Sequence, residues 1–590
     1  MNFDFTTKTF RDLLGTNFNQ LLIPRFQRDY TWENEHTREF LEDLLSNSKL
    51  NNTTDTQNPK SDYFFGTILV AGNINGSNGT LEIIDGQQRI TTATILLSTI
   101  GKLLKSCSEE KLSELIWEYI IKTTDDGEKI TLLQNDTTDD FFKENVQDIN
   151  ITIDDVVKIK EAPDEETQRI LDAIKFFSSY LSSSSIDMNL NLLLGKDNKL
   201  HNQNYITKLK QVRDFLLNSQ VVCVSTTDKE SANLIFEILN SKGKKLEPID
   251  LIKNEIFKYV TTVQPKDYAI GKWKRIKSHL NERVRIEFSI FYRHFWLSKY
   301  KRMNNIDLYD QFLNNVSKEE YENFLDQLIT NAEIYKKISS PNLTNDYKNQ
   351  KQSTFIIDSL TALNNFKIRQ CRVALLAIFR KKEEKLIHIS DFKKIITFLP
   401  KFHFIYSALC SKRANTLESK YAAFAVALTD SQSVNDSRKI IDDLIEKLKK
   451  ILPSEQEFTE KFTKLEFSNR DKVKKDDNQV TKYAIYELER IFSKNLMVAN
   501  TASIEHIIPE SKDSAIPEAL NIGNLCILEN NLNGKCDAQD IKQKFNIYEK
   551  SQFSTMRDFL NTHSSEFTKC HITNRSKYLA NKFYESVKQA

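Results

Sequence analysis

The sequence contains few of the residues that interrupt regular structure, with 13 glycines and 10 prolines among 590 residues. Leucine, isoleucine, lysine and glutamate are common instead, and this composition favours helix over turn and strand. A chain of this length is too long to fold around a single hydrophobic core, so we expect roughly two to four domains.

Long apolar runs and paired cysteines are also lacking, and we expect no signal peptide at the N-terminus. No segment approaches the roughly 20 apolar residues that a membrane span needs, and the N-terminus, MNFDFTTKTF, carries an early aspartate. The seven cysteines form no CxxC pair, which argues against a zinc ribbon or a disulfide framework. We therefore expect a cytoplasmic protein with no membrane partner.

Excess charge of one sign is absent, because the net charge at pH 7 is +2. A surface for nucleic acid must then be a local patch. The chain also lacks a Walker-type G-x-x-x-x-G-K-[ST] motif, so a phosphate-binding site would need another construction.

Apolar patterning predicts a strand–turn–strand–helix unit near the N-terminus. YFFGTILVAG (63–72) and LEIIDG (81–86) are typical of a β-hairpin, and the apolar run from Thr91 predicts a helix whose first threonines could cap it. This arrangement puts residues 86–89 in a tight loop at a helix N-terminus. Other predicted segments are a surface loop (47–62), an insertion or linker (123–168), a strand (221–226) and two helices (231–243 and 247–257).

The middle of the chain, from about residue 260 to about residue 450, has helical periodicity throughout. One predicted helix carries an apolar stripe and ends before Pro453. We expect an all-helical connector or sensor region here. The members of the stripe are Ile441, Leu444, Ile445, Leu448 and Leu452.

Two motifs in the first hundred residues combine arginines, amides and aromatic rings, namely IPRFQRDYTWE (23–33) and DGQQR (85–89). The N–H groups of a glycine turn and of a helix N-terminus attract phosphate, and arginine can bind phosphate oxygens with two donors. Trp32 or Tyr30 could stack on a base. A buried arginine–aspartate network with aromatic packing explains the same residues equally well.

A histidine motif near the C-terminus, IEHIIPE (504–510), is followed by asparagines at informative spacings. Asn524 comes 18 residues after His506, and Asn533 comes 9 residues after Asn524. This order is the pattern of ββα-metal, or HNH, nucleases, in which a neutral imidazole takes a proton from water and a divalent metal stabilises charge on the phosphate. A histidine at the edge of an apolar core is the alternative interpretation.

The residue types suggest a role for each member of this second motif. Carboxylate and amide oxygens suit Mg²⁺ or Mn²⁺, so Glu505 and Asn533 are the predicted metal ligands and His506 is the predicted general base. Asn524 is predicted to orient the histidine loop through backbone hydrogen bonds.

Neighbouring residues offer alternatives. Asn530 and Asn531 are rival ligands, although asparagines are also common in turns. Cys526 and Cys536 straddle the site, with Asn533 between them, but lack the second ligand pair that zinc needs.

The N-terminal motifs, taken in order, resemble the DUF262 domain. This is a ParB/sulfiredoxin-like nucleotide-binding module of GmrSD-type restriction enzymes, also found in the phage-defence proteins BrxU and SspE. The resemblance covers roughly the first 260 residues and includes IFEILNSKGKKLEPIDLIKNEIF (235–257).

This resemblance implies that the region binds and hydrolyses a nucleoside triphosphate (ATP, GTP or another) with a phosphate-bridging Mg²⁺. Asn240, Lys253 and Asn254 fall in the same motifs without an assigned role, and helix capping or surface charge would explain them. The residues expected to hold the nucleotide are Gln27, Arg28, Trp32, Asp85, Gly86, Gln87, Gln88 and Arg89.

The C-terminal motif, with TKYAIYELERIF (481–492), IGNLCIL (522–528) and KQKFNIYEKSQF (542–553), resembles DUF1524, the HNH-type partner of DUF262. Lys544 matches a basic position of that family, which implies contact with the scissile phosphate. A lysine on a solvated helix is the alternative. Many HNH enzymes carry aspartate where this chain has Glu505, which leaves the metal preference open.

Together these observations predict a multidomain, mostly α protein with α+β modules. The predicted regions are a ParB/sulfiredoxin-like nucleotide-binding domain (1–260), a helical connector or sensor (261–454) and an HNH nuclease domain (455–590).

The resemblance implies a nucleotide-regulated, metal-dependent DNA endonuclease of the type IV, modification-dependent kind, directed against phage. Its partners would be DNA and nucleotide, and a homodimer is one candidate assembly. The alternatives are a nucleotide-gated DNA-binding sensor with an inactive nuclease, and an RNase acting in abortive infection.

Overall fold

A computed structural model describes most of the chain. The predicted surface loop (47–62) and the predicted helix 231–243, with Asn240, lie outside the described residues. The described ranges are 4–15, 20–25, 27–46, 63–73, 79–123, 126–135, 140–195, 203–227, 247–260, 268–300, 307–347, 350–413, 415–470, 472–494, 502–536, 539–563 and 566–590.

The chain divides into two compact units, Met1–Lys274 with Phe312–Glu322, and Arg275–Gln311 with Asn323–Ala590. Helix accounts for 66% of the structure, which confirms the predicted mostly helical, multidomain class. The three predicted regions with boundaries at 260 and 454 stay a prediction, as does the ParB/sulfiredoxin-like fold of the first.

The elements up to residue 260 mix short strands and helices. The strands are β1 (Asp4–Thr9), β2 (Gln20–Ile23), β3 (Phe64–Ala71), β4 (Thr80–Asp85), β5 (Ile121–Thr123), β6 (Lys129–Thr131), β7 (Leu133–Asn135) and β8 (Gln220–Thr226). The helices are α1 (Phe10–Gly15), α2 (Asn34–Ser46), α3 (Gln87–Ser106), α4 (Glu110–Trp117), α5 (Asp140–Asn145), α6 (Ile153–Lys158), α7 (Glu165–Tyr180), α8 (Ile186–Leu194), α9 (Tyr205–Leu217) and α10 (Pro248–Tyr259).

Among the described residues after 260, the elements are helical except for one pair of strands. The helices up to residue 450 are α11 (Tyr268–Asn281), α12 (Phe288–Lys299), α13 (Leu308–Asn315), α14 (Tyr321–Ser339), α15 (Leu343–Asp346), α16 (Gln350–Asn365), α17 (Arg372–Glu383), α18 (Ile389–His403), a π-helix (Phe404–Leu409), α19 (Asn415–Asp430) and α20 (Val434–Lys449). The later elements are α21 (Glu455–Phe462), α22 (Lys475–Ser493), β9 (Ala502–His506), β10 (Leu525–Glu529), α23 (Asn530–Cys536), α24 (Ile541–Tyr548), α25 (Ser554–Thr562) and α26 (Lys569–Lys588).

Six strands of the first unit form one sheet in the order β1-β8-β3-β4-β2-β7. β3 and β4 pair antiparallel, which confirms the predicted hairpin, and β8 confirms the predicted strand 221–226. Side chains alternate across the sheet. Ile68 and Val70 pack into the main core, whereas Leu69 and Ala71 belong to a smaller cluster.

Helix α3 is the central helix of this core, because 17 of its 20 residues are buried. It begins at Gln87 and not near Thr91, so the predicted threonine caps are wrong, and residues 87–89 form its first turn and not a loop. Gly86 occupies the N-cap position without a side-chain cap. Thr92 lies inside the helix, where its hydroxyl donates to the Gln88 carbonyl oxygen at 2.8 Å.

Within the described residues, the segment 123–168 packs against the core of the first unit, so the prediction of a linker is wrong, and that of an insertion stays a prediction. β7 pairs with β2 at one edge of the sheet. Ile153 and Val156 of α6 are buried in the main core. Short polar stretches hid these contacts, because β6, β7, α5 and α6 contribute only one to three apolar side chains each.

The predicted helix 247–257 is confirmed as α10, with Pro248 in its first turn. The all-helical character predicted for about residues 260 to 450 is confirmed within the described residues. In α20, Ile441, Leu444, Ile445 and Leu448 form the expected buried stripe. The helix ends at Lys449, and Leu452 lies in the connection that follows.

An aromatic cluster around Phe404 fills part of the core of the second unit. Its ring centroid lies 4.7 Å from that of Phe583, 5.3 Å from Tyr483, and 6.3 Å from both Phe458 and Phe462. Helices on both sides of residue 454 therefore share one core.

No helix in the described part of the chain is both long and apolar enough to cross a bilayer. All seven cysteines are described and none is in a disulfide. Cys107 and Cys570 are exposed, and the other five are buried.

Candidate functional site

A cavity of about 170 Å³ lies at the N-terminus of α3. All eight residues that the sequence predicts to hold a nucleotide line this one cavity, together with three residues that were not assigned a role. The predicted group is Gln27, Arg28, Trp32, Asp85, Gly86, Gln87, Gln88 and Arg89, and the additional residues are Ile84, Asp250 and Asn254.

Gly86 shapes the wall of the cavity formed by the start of α3. Its φ of 97° lies in the left-handed region, which suits glycine. The Ile90 N–H donates to the Gly86 carbonyl at 3.1 Å, so the preceding N–H groups have no acceptor within the helix. Such N–H groups favour an anion.

The side chains of Gln87 and Gln88 hold the first motif against this helix. Gln88 accepts from the Thr31 N–H at 2.8 Å and donates to the Asp29 carbonyl at 3.0 Å. Gln87 donates to the Arg28 carbonyl at 2.8 Å. Both amides are engaged with main-chain groups, so these two positions offer a ligand chiefly their backbone N–H groups.

Gln27 and Lys253 complete the attachment of the first motif. The Gln27 amide donates to the Ile84 carbonyl at 2.9 Å. Lys253 Nζ donates to the Gln27 carbonyl at 2.8 Å and lies 3.1 Å from Asp29 Oδ1. Lys253 is 4% exposed, and burial lowers its pKa. Surface charge is therefore not the explanation of Lys253.

Helix α10 brings Asp250 and Asn254 to the cavity on the same face as Lys253. Burial raises the pKa of Asp250, and nearby Lys253 and Arg28 oppose that rise. Asp250 was missed from the sequence, although the i, i+3, i+4 spacing of these three polar residues was a usable signal.

Trp32, and not Tyr30, is the aromatic residue that lines the cavity. Tyr30 is 2% exposed and its hydroxyl lies 2.8 Å from that of Thr92. Trp32 packs against His36 and Phe40, with ring centroids at 6.3 Å and 5.9 Å. Of the two stacking candidates, Trp32 is therefore the one that can meet a base.

The second candidate site is built on β9, β10 and α23. His506 is the last residue of β9 and pairs with Leu525 of β10. Its Nε2 lies 3.0 Å from the Phe467 carbonyl oxygen. A carbonyl only accepts, so Nε2 carries the proton and Nδ1 of the neutral ring is the basic nitrogen.

The surroundings of His506 keep this imidazole neutral. Burial lowers its pKa from the ordinary value of 6.5, while the Phe467 hydrogen bond and the carboxylates of Glu510 and Glu505 oppose that shift. Glu510 is itself buried and accepts from the Ser468 hydroxyl. Phe467 and Glu510 were not among the predicted site residues.

Asn524 is fully buried and holds the loop that follows His506. Its Oδ1 accepts from the Ile508 N–H at 2.8 Å, and its Nδ2 donates to the carbonyls of Ile508 at 2.8 Å and Ala519 at 2.7 Å. The Asn524 carbonyl also accepts from the Ile507 N–H at 3.0 Å. These are backbone hydrogen bonds of the kind expected from the sequence.

Glu505 is buried beside His506 and is held by two residues of α24. Its Oε1 accepts from Lys544 Nζ at 2.6 Å and from the Tyr548 hydroxyl at 2.9 Å. Lys544 also donates to the His506 carbonyl at 2.8 Å. Because Lys544 is 3% exposed, it is not a lysine on a solvated helix face. Its ammonium uses two of its three N–H donors in these contacts, so one donor is left for a phosphate.

Asn533 faces β9 from the adjacent helix α23. Its Nδ2 donates to the Ser503 hydroxyl at 2.7 Å and to the Ile504 carbonyl at 3.3 Å. These two hydrogen bonds fix the amide nitrogen and leave the amide oxygen Oδ1 on the other side of the amide group. Asn530 and Asn531, the rival ligands, are exposed in the first turn of α23.

The donor set fits a hard divalent cation. Within the described residues, no hydrogen bond reaches Oε2 of Glu505 or Oδ1 of Asn533, and such oxygens are the ligands that Mg²⁺ and Mn²⁺ prefer. No group of three or more His, Cys, Asp or Glu side chains suited to a metal occurs in the described part of the chain. A cation here would thus take its remaining ligands from water and phosphate.

Comparison with known families finds a match in the N-terminal part of the chain and another in the C-terminal part. The N-terminal domain of the GmrSD restriction endonuclease matches residues 10–257, and the C-terminal domain of GmrSD restriction endonucleases matches residues 452–582. The chain belongs to the GmrSD restriction endonuclease family. The two GmrSD matches contain all the residues of the two candidate sites. The likeness to BrxU and SspE stays a prediction.

A curated relative of this GmrSD protein is the uncharacterized protein MJ0686 of Methanocaldococcus jannaschii. The two chains are 21% identical over 290 residues, which is 47% of this chain and 46% of the relative. The match thus spans about half the length of either protein.

Proposed function

We propose that the protein is a nucleotide-regulated, metal-dependent DNA endonuclease that restricts modified phage DNA. The His506 site carries this proposal, because it combines a neutral imidazole, a buried carboxylate and an asparagine oxygen. The strand–strand–helix order of β9, β10 and α23 is that of ββα-metal nucleases. The presence of both GmrSD domains in one chain supports the same function.

In the proposed reaction, Nδ1 of His506 takes the proton of the attacking water. Glu505 Oε2 and Asn533 Oδ1 would hold a divalent cation, which when bound supplies neutralisation of charge on the phosphate and the leaving oxygen. Lys544 and Tyr548 hold the other carboxylate oxygen, and so fix the direction of Oε2. Asn524 holds the loop that follows His506 in place through its hydrogen bonds to the backbone.

The cavity at α3 is the proposed nucleoside triphosphate site. The N–H groups at the start of the helix, with Arg28 and Arg89, provide positive potential for phosphates. Trp32 offers a face for the base. A Mg²⁺ bound with the nucleotide would offset the repulsion between the phosphates and the carboxylates of Asp85 and Asp250.

The proposal is tested by incubating the purified protein with DNA, Mg²⁺ or Mn²⁺, and each of ATP, GTP, CTP and UTP. The substrates are glucosylated, hydroxymethylated, phosphorothioated and unmodified DNA of one sequence. We expect one class of modified DNA to be cut at least tenfold faster than plain DNA. Degradation of RNA with all four DNAs left intact would contradict the proposal.

The nucleotide part is tested by Arg89→Ala. Because a charged hydrogen-bonding contact contributes about 1.5–3 kcal/mol, we expect nucleotide affinity to fall by about 10- to 100-fold and triphosphate turnover to fall with it. Arg38→Ala removes an arginine of the same unit whose side chain is 54% exposed, and should leave turnover unchanged. Equal turnover in the two variants would contradict the assignment of Arg89.

A further inference from the structure

Gly66 lies at an irregularity of β3 next to the nucleotide cavity. The register between β3 and β8 shifts between Phe64 and Gly66, as at a β-bulge. The φ of Gly66 is +115°, a conformation that residues with a side chain rarely adopt. Neither the motif pattern nor the family match assigns Gly66 a role.

The guanidinium of Arg89 occupies the space beside Gly66. A Cβ at position 66 would lie 1.7 Å from Nη1 and 3.0 Å from Cζ of Arg89. The guanidinium donates to the carbonyls on either side of this glycine, from Nη1 to Phe65 at 3.1 Å and from Nη2 to Thr67 at 2.8 Å. The bulge therefore forms a seat into which the guanidinium fits only when residue 66 has no side chain.

This seat preserves the charge of Arg89. Carbonyl oxygens accept hydrogen bonds without neutralising the guanidinium, and its ion pair within the described residues is a long one, to Asp85 at 3.7 Å. Arg89 retains further N–H donors beyond the two used here. Its side chain is 27% exposed, and it lines the cavity.

We infer that Gly66 is a positioning residue of the nucleotide site, which holds Arg89 where it can meet the phosphates. The inference rests on the proposed nucleotide binding at this cavity. It assigns the glycine of YFFGTILV a role in ligand binding that acts through another side chain.

A double-mutant cycle tests the inference on nucleotide affinity. The probes are ATP, GTP, CTP and UTP with Mg²⁺, and whichever binds the full-length wild-type protein is used throughout. We expect Gly66→Ala to weaken binding by the same 10- to 100-fold as Arg89→Ala. The Gly66→Ala/Arg89→Ala variant should bind no more weakly than Arg89→Ala alone.

Gly72→Ala is the matched control. Gly72 also has a positive φ, +136°, but its Cβ would meet the flexible end of Leu81, at 2.7 Å. This variant carries similar backbone strain without touching Arg89, so it should lose stability and keep nucleotide affinity.

The outcomes separate the inference from the proposed function. If none of the four nucleotides binds the wild-type protein, the proposal of a nucleotide site is itself wrong. If Gly66→Ala binds nucleotide as tightly as the wild-type protein, the positioning role is overturned and the site stays in place. The same holds if the loss of affinity in the double variant equals the product of the losses in the two single variants.

Stability provides a second readout if Gly66→Ala folds poorly. Removing the guanidinium should relieve the clash, so the double variant should melt at a higher temperature than Gly66→Ala. If Gly72→Ala can be purified but neither Gly66→Ala nor the double variant can, the guanidinium is not the source of the strain and the inference fails.

Discussion

Replacing His506 by alanine is expected to lower the rate of DNA nicking by about 10²- to 10⁴-fold, the usual contribution of a general base. Nucleotide hydrolysis should be unchanged. The expected effect is this large because Nδ1 is the free basic nitrogen of a ring that the Phe467 carbonyl fixes through Nε2. Nicking is measured on supercoiled plasmid under single-turnover conditions with Mg²⁺ or Mn²⁺.

A second histidine provides the control for this experiment. His388 is the N-cap residue of α18 and accepts from the Ser390 N–H at 3.3 Å. His388→Asn keeps a capping side chain and should nick DNA at the wild-type rate. If His506→Ala nicks as fast as this control, the general base lies elsewhere and the proposed nuclease site is wrong.

Replacing Lys544 by methionine is expected to lower the free energy of unfolding of the second unit by about 3–5 kcal/mol. The substitution removes the ammonium partner of Glu505 and leaves a carboxylate buried without an opposite charge. Nicking should also be lost, because Glu505 is no longer held in place. Denaturant unfolding and the plasmid assay measure the two effects.

Neutralising both partners should separate stability from activity. In the Lys544→Met/Glu505→Gln variant neither member of this pair is charged, so most of the lost stability should return while nicking does not. Lys542→Met changes an exposed lysine of the same helix and should affect neither property. If Lys544→Met is as stable as Lys542→Met, the buried ion pair does not stabilise the fold.

The polar residues of the second site could be predicted because they fall within one short stretch of chain. His506, Asn524 and Asn533 follow each other through a strand, a second strand and a helix, so their spacing reflects their geometry. The contact from Phe467 could not be found in this way. It uses a backbone carbonyl 39 residues upstream, and every residue carries a carbonyl.

Lys544 shows a different limit of sequence patterns. Lysines on helices are mostly solvated, so its burial against Glu505 had no signature in the local sequence. The partner residue Tyr548 lies four positions later on the same helix face. That spacing is informative only after the carboxylate they share is known.

The sequence predicted which residues line the first site but not the secondary structure in which they lie. The prediction placed the helix start at threonines, which can cap with a side chain, whereas Gly86 begins the helix through its backbone conformation. β1 was missed because none of its six residues is buried, so it has no apolar alternation to detect. The role of Gly66 depends on a side chain 23 positions away.

The distribution of thiols has a practical consequence for measuring movement. One of the two exposed cysteines, Cys107, lies in the first unit and the other, Cys570, in the second. Burial raises the pKa of the Cys223 and Cys410 thiols to about 11, which suppresses their reaction with maleimides. The unmodified protein therefore carries a natural pair of dye-attachment points, one per unit, for following their separation by energy transfer as nucleotide and DNA are added.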